Sequence, residues 1–274
     1  MRQQDRLPLI LERLAEHGSV SVVDLSAELQ ASPASIRRDL QVLEEQQLLK
    51  RTHGGAMAAE VIYELPMRYR GGRSQEEKRR IAQAAVRLVD GSVHSVGFNG
   101  GTTITELARL LSTGRALKVV TNALNIAADL SVRPAIDLVV TGGGVRPESY
   151  ELVGPIADRT LADISLDLVF LGVDGIDAEA GISTHDEIEA RTDHCLMRAT
   201  RRVVVLADGS KIGHRAFSRI APIGEVDMLI TDAGADRAEL DRIQAAGASA
   251  AASPGPGSAA RSEVRRGGNE CATT

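Results

Sequence analysis

Six short apolar runs, at 93–98, 117–121, 136–141, 166–172, 203–207 and 227–231, constrain this chain more than any other feature. Helical stretches lie between most of them, notably 103–111, 122–131, 155–164 and 186–200. Short apolar runs alternating with helices indicate a parallel sheet covered on both faces, because a parallel connection needs a crossover and the crossover helix buries the sheet. The pattern predicts a doubly wound, mostly parallel α/β domain. It begins near Ser74, where Ile81, Ala84, Ala85 and Leu88 line one side of a helix.

The loop after each run carries the chemistry. Asn99, Gly100, Gly101, Thr102 and Thr103 come after the first, and Thr121 with Asn122 after the second. Thr141, Gly142, Gly143 and Gly144 come after the third, Gly172 to Gly175 after the fourth, and Asp208 to Lys211 after the fifth. Ligands of open parallel sheets sit outside the carboxyl ends of the strands, so these loops are expected to share one crevice. Glycine admits close approach of an anion to the backbone, and helix-start N–H groups favour negative charge. Gly100, Gly101, Thr102 and Thr103 open a helix and form the expected phosphate cradle. Lys211 suits a phosphate or a sugar hydroxyl, and Asn99, Asp174 and Asp208 suit polyol recognition. The glycine spacing is wrong for a dinucleotide fingerprint and no P-loop is present. No cofactor, metal or catalytic group is expected.

The stretch SPASIRRDLQVLEEQQLLKRTHGG, residues 32–55, belongs to a different kind of unit. Ser32 is placed to cap a helix, with Pro33 at its first position. Ile36, Leu40 and Leu43 recur at helical spacing, which turns Arg37 and Arg38 outward. Lys50, Arg51 and His53 form a second basic cluster before Gly54 and Gly55. Upstream, Leu7, Ile10, Leu11 and Leu14 mark a first helix ending near Gly18, and Ser21 with Asp24 starts a second that carries Leu25 and Leu29. Helix, helix, turn, helix and hairpin make a winged helix-turn-helix. Ser32, Ser35, Arg37, Arg38, Lys50, Arg51 and His53 are its candidate DNA contacts. A three-helix unit that merely packs or binds protein is the bland alternative; the arginine pair and basic wing occurring together argue against it.

The remaining composition sets limits. The formal net charge of −5 excludes indiscriminate coating of nucleic acid, so DNA affinity must come from a local basic surface. Aromatics are 2% of the chain, which disfavours stacking on single strands. Cys195 and Cys271 make neither a zinc site nor a disulfide framework. No apolar run suits a bilayer and the start lacks a secretion pattern, so a cytoplasmic protein is expected.

Residues 1–57, with SIRRDLQVLEEQQLLKRTHGG at their heart, closely resemble the winged helix-turn-helix of the DeoR family of bacterial transcription regulators. Residues from about 74 to 235 resemble that family's sugar-phosphate sensor domain, itself similar in fold to ribose-phosphate isomerases; the matching stretches are NGGTT, VVTNAL, TGGGVRPES, FLGVDGID, GIST and LADGSK. The resemblance implies that Gly101, Thr102 and Thr103 bind phosphate while Asn122, Gly143, Asp174 and Lys211 line an effector pocket. It implies a repressor of carbohydrate-use operons, acting as a homodimer or homotetramer on double-stranded operator DNA and released by a phosphorylated sugar. Asn99 departs from the Asp common there, ASPAS departs from the usual VSxxT, and the chain past Gly247 lacks the β-rich ending of relatives. The resulting division is a head at 1–57, a linker at 58–73, a sensor at 74–246 and a disordered tail at 247–274. An isomerase-like enzyme with an appended DNA-binding unit, and a protein-binding adaptor, are the competing classes.

Overall fold

The structure is a computed structural model that describes residues 1–46, 48–58, 67 and 74–253. Three helices and a small sheet form the N-terminal head: α1 (Gln3–His17), β1 (Ser19–Ser21), α2 (Val22–Glu28), α3 (Pro33–Glu45), β2 (Leu49–Arg51) and β3 (Gly55–Ala58). Leu7, Ile10, Leu11 and Leu14 recur one helical turn apart and are buried against Leu25, Leu29, Ile36, Leu40, Leu43 and Leu49. Gly18, at φ 72°, ends α1 by donating its N–H to the Leu14 carbonyl. Ser21 caps α2 through Asp24 N at 3.0 Å, and Ser32 caps α3 through Ser35 N at 3.2 Å. The strands pair antiparallel in the order β1-β3-β2. A Cβ at Gly55 would lie 1.9 Å from the Val20 carbonyl oxygen, so only glycine lets β3 reach β1.

An ion pair not expected from the sequence ties this head together. Asp39, 0% exposed, accepts Arg6 Nε at 2.7 Å, Arg6 Nη2 at 3.1 Å and Gln3 Nε2 at 2.9 Å. The contact joins the first helix to the third through a bidentate fork.

The sensor part comprises α4 (Gln75–Val86), β4 (Ser95–Phe98), α5 (Thr102–Leu111), β5 (Leu117–Thr121), α6 (Leu124–Ser131), β6 (Ile136–Val140), β7 (Gly144–Arg146), β8 (Glu151–Val153), α7 (Pro155–Ala162), β9 (Leu168–Gly172), β10 (Gly175–Asp177), β11 (Gly181–Thr184), α8 (Glu187–Arg198), β12 (Val203–Leu206), β13 (Ser218–Ala221), β14 (Met228–Thr231), α9 (Arg237–Ala245) and β15 (Ser249–Ala252). Seven strands form one all-parallel sheet in the order β15-β14-β12-β9-β4-β5-β6. Successive side chains serve opposite faces: Val204 and Leu206 pack with α4 and α5, whereas Val203 and Val205 pack with α8 and α9. All four are buried, which is why the run reads as uniformly apolar. From β4 the chain moves outward to β5 and β6, then returns to place β9 on the other side of β4. That reversal is the switch point at which doubly wound sheets form a crevice.

The six expected strands are present with ends trimmed by a residue or two. The seventh is a correction. The sequence points to a disordered tail over 247–274, yet Ser249–Ala252 pair in parallel with Met228–Thr231, and Ser253 N–H bonds the Thr231 carbonyl at 2.7 Å. Alanine is a weak strand former, so Ala250 to Ala252 give no side-chain signal; the backbone ladder alone makes the strand. Residues 254–274 lie outside the described residues. So does most of the expected linker at 58–73, apart from Ala58 in β3 and Met67, which is buried with its N–H on the Glu148 carbonyl at 2.7 Å.

Candidate functional site

Two surfaces arise from this architecture. On the head, α3 presents Arg37 and Arg38 to solvent, and neither makes a salt bridge among the described residues. Ser32 Oγ is committed to the cap and lies 3.0 Å from Ser35 Oγ, leaving Ser35 as the half-exposed hydroxyl of the helix start. In the wing, Lys50 and His53 are exposed. Arg51 is not free: Glu44 accepts its backbone N–H at 2.9 Å and stands 3.8 Å from its guanidinium. Of the expected contacts, Arg51 therefore shares its charge with an acidic neighbour.

The crevice lies at the carboxyl ends of β4, β5, β9 and β12. Asn99 spans the switch point between β4 and β9. Its Nδ2 donates to the Gly172 carbonyl and to Asp193 Oδ2, both at 3.0 Å, while its Oδ1 accepts Gly172 N–H at 2.8 Å. Each end of that carboxamide is engaged internally, so Asn99 holds the two strand ends together instead of offering itself to a ligand. Gly100 N–H bonds Glu151 Oε1 at 2.7 Å, and Asn122 Nδ2 bonds Glu151 Oε2 at 3.1 Å. Glu151 thus draws the β4 and β5 loops onto β8. Thr121 Oγ1 accepts Ala123 N–H and turns inward. Across the crevice Asp174 accepts Thr184 Oγ1 at 3.1 Å, with Lys211 Nζ at 3.5 Å and His185 Nε2 at 3.9 Å.

The loops named from the sequence are therefore gathered at one end of the sheet, although their side chains divide into two sets. Asn99, Thr121 and Asn122 form the frame. Thr103 is buried, whereas Gly101, Thr102, Asp174 and Lys211 keep partial exposure. Gly101 has φ 107° and starts α5, whose first N–H groups no described side chain caps. Gly142 takes φ 71°, a left-handed conformation that suits glycine, and Gly143 serves a packing role. A Cβ on Gly143 would meet the Val153 carbonyl oxygen at 2.8 Å, so glycine there lets the loop close over β8. Asp208 caps its own turn through Oδ1, which accepts Ser210 N–H at 3.0 Å.

The sequence reading missed the acidic floor. Glu151, Glu189 and Asp193, all buried, bring carboxylate oxygens within 4.8 Å of one another. Arg146 reaches Glu189 Oε2 at 3.1 Å and Asp186 at 3.7 Å. Burial pushes Glu151 well above the usual carboxylate range, and the neighbouring Asp193 and Glu189 charges push it further; the Gly100 and Asn122 donors only partly oppose this. Asp193 is raised for the same first reason, then by Glu189 and Asp174, against the Asn99 hydrogen bond. One signal was available on α8. Glu189, Thr192, Asp193, Leu196 and Met197 fall on one face at helical spacing, and all are buried. Its inward stripe is polar at the end nearest the crevice.

Comparison with known proteins finds a match for each of the two parts. The DeoR C terminal sensor domain matches residues 73–233 and the DeoR-like helix-turn-helix domain matches residues 6–61. The HTH-type transcriptional regulator GlpR of Haloferax volcanii is 36% identical over 249 residues, covering 90% of this chain and 96% of that protein. The glycerol-3-phosphate regulon repressor of Escherichia coli K12 is 33% identical over 234 residues, covering 85% of this chain and 92% of its own length. Ribose 5 phosphate isomerase A from Neisseria gonorrhoeae overlaps loosely, at 19% identity and TM-score 0.37, over 49% of this chain and 52% of its own.

Proposed function

The chain belongs to the DeoR family of transcription regulators, and on that premise we propose that it is a DNA-binding repressor of a carbohydrate-use operon, released from its operator by a phosphorylated sugar. The head spans residues 1–58 and the sensor residues 74–253. Arg37 and Arg38 take base edges or the adjacent phosphates, with Ser35 as a further polar contact. Lys50 and His53 fasten the wing to the backbone. Two chains paired through their sensors set recognition helices in successive major grooves, roughly 10 base pairs apart or a multiple of that.

The observation that carries the sensing half is the bare start of α5 at the switch point, where Gly101 leaves backbone donors without a side-chain cap. A phosphate is the anion that such a helix start holds best, because unpaired N–H groups and the helix dipole act together. Lys211, beside Asp174, reads the sugar end. The named relatives are regulators, and the crevice accordingly binds its sugar phosphate without turning it over. Binding changes how the sensors pair and misaligns the two heads, a coupling of about 1–3 kcal/mol in the usual range.

A thermal-shift screen of phosphorylated sugars, with glycerol 3-phosphate included because one relative represses that regulon, identifies the effector. The same compound must then release operator DNA in a gel-shift titration. A compound that stabilises the protein yet leaves operator affinity unchanged would sink the linkage.

A further inference from the structure

We propose that Glu151, Glu189, Asp193 and Asn122 form a binding site for one divalent cation of the magnesium, manganese or calcium class, set in the floor of the crevice. The site does not depend on the effector reading, since it concerns the cation alone.

Three independent features point to it. The first is geometry. One oxygen from each of the three carboxylates lies within 4.8 Å of the others. An ion with oxygen ligands at roughly 2.0–2.6 Å holds those oxygens no more than about 4–5 Å apart. The second is charge. Arg146 compensates Glu189, but Glu151 and Asp193 have no cationic partner among the described residues. Once ionised, the cluster would carry two negative charges in excess, the amount one divalent ion cancels as it displaces the protons. Buried carboxylates left uncompensated are costly, and a metal is one of the few ways to keep them ionised.

The third feature lies outside the carboxylates. Asn122 is 2% exposed and its amide is turned onto Glu151, yet its Oδ1 has no hydrogen-bond donor. Asp193, 1% exposed, has an Oδ1 in the same condition. Both are acceptors without a donor beside a cluster that already has an excess of acceptors. A hydrogen-bonding molecule would need donors on every side; a cation satisfies the three carboxylates at once, and a flip of the Asn122 amide, whose Nδ2 faces Glu151, would turn its Oδ1 onto the ion. The ligand set is oxygen throughout, which selects hard ions over zinc or copper.

The placement gives the ion a consequence. Glu151 also accepts the Gly100 N–H just before the α5 start, and Asp193 accepts the Asn99 amide that holds β4 to β9. A bound ion would brace the loops that shape the cradle and remove two negative charges from behind it.

The test uses the full chain, stripped with a chelator and titrated with MnCl2 alone, with calorimetry and the melting temperature as readouts. One saturable Mn2+ per chain is expected, displaced by Mg2+ or Ca2+, with a melting temperature that rises with ion concentration and falls back on adding chelator. Asp193→Asn should weaken Mn2+ binding at least about tenfold while the circular dichroism spectrum stays native. Glu151→Gln gives the same reading if Asp193→Asn does not fold. Absence of saturable binding by Mn2+, Mg2+ and Ca2+ would overturn the proposal in favour of protons held between the carboxyls. Binding that is equally tight in both variants would overturn it too, since the ion would then sit elsewhere.

Discussion

The head and the sensor both bury acidic side chains, and they treat them in opposite ways. In the head, Asp39 receives three donors from Arg6 and Gln3, so the charge is matched and every contact serves to hold the first helix against the third. In the crevice, Glu151 and Asp193 have only neutral donors, and Asp193 keeps an oxygen with none. A matched buried charge is architecture. An unmatched one has a cost that folding alone does not recover, and it marks the place where something else is meant to bind.

The largest expected effect tests that contrast directly. Asp39→Ala leaves Arg6 buried without its partner and should cost about 3–5 kcal/mol, a large part of a typical domain's stability. Asp193→Asn in metal-free buffer should be neutral, or stabilising by about 1 kcal/mol, because the amide needs no proton taken up on folding, whereas the raised Asp193 carboxyl does. Denaturant titration of both variants measures the two values. The sign with pH comes from the raised carboxyls. Their native form holds protons that the unfolded chain has released, so the stability they contribute is present in acid and lost as pH rises through the native value. The advantage of Asp193→Asn over the parent should therefore grow toward alkaline pH. Equal losses at positions 39 and 193 would erase the distinction between the two regions.

Next in size is Arg37→Ala. The side chain is exposed, so stability should change by no more than about 0.5 kcal/mol. Operator affinity should fall about 10- to 100-fold, the range expected when an arginine no longer reaches its base or phosphate. Gel shift against heat denaturation separates the two, and unchanged affinity removes Arg37 from the contact set. Gly101→Asp is the matching change in the sensor. At φ 107° an L side chain is strained, costing about 1–3 kcal/mol, and the new carboxylate opposes an anion at the helix start. Operator binding should persist while release by sugar phosphate disappears. Calorimetry that still detects sugar phosphate in this variant would move the cradle elsewhere.

Much of the head was legible because its signals are local. Ser21, Ser32, Pro33 and Gly18 each act on neighbours a few residues away, and the Ile36, Leu40 and Leu43 stripe repeats every turn. The parallel sheet was legible for a related reason, since burial on both faces makes each strand uniformly apolar. Asp39 and Glu151 were not, because their partners are 33 and 51 residues away and nothing near them announces those contacts. Asn99 stands at the crevice as its position after a strand implies, but it braces the frame where polyol recognition was expected. Sequence locates a polar side chain at a strand end without saying whether it faces ligand or a neighbouring strand. Ser249–Ala252 escaped notice because an edge strand of small residues is specified by backbone pairing with β14.

The smallest effect expected lies where the head's charges are partly matched. Lys50→Ala should lower the slope of log affinity against log salt by about 0.9, the signature of one fewer phosphate neutralised. Arg51 should contribute less, because Glu44 lies 3.8 Å from its guanidinium. Glu44→Gln isolates that neighbour. The carboxamide oxygen can still accept the Arg51 N–H, so the tie between α3 and β2 persists while the opposing charge is gone. Exposed ion pairs of this kind are worth about 0.2–1 kcal/mol, which predicts a gain in operator affinity of a few-fold at most, largest at low salt. If Glu44→Gln instead weakens operator binding, the carboxylate is positioning the wing for DNA, and the division between matched architectural charge and free functional charge fails inside the head itself.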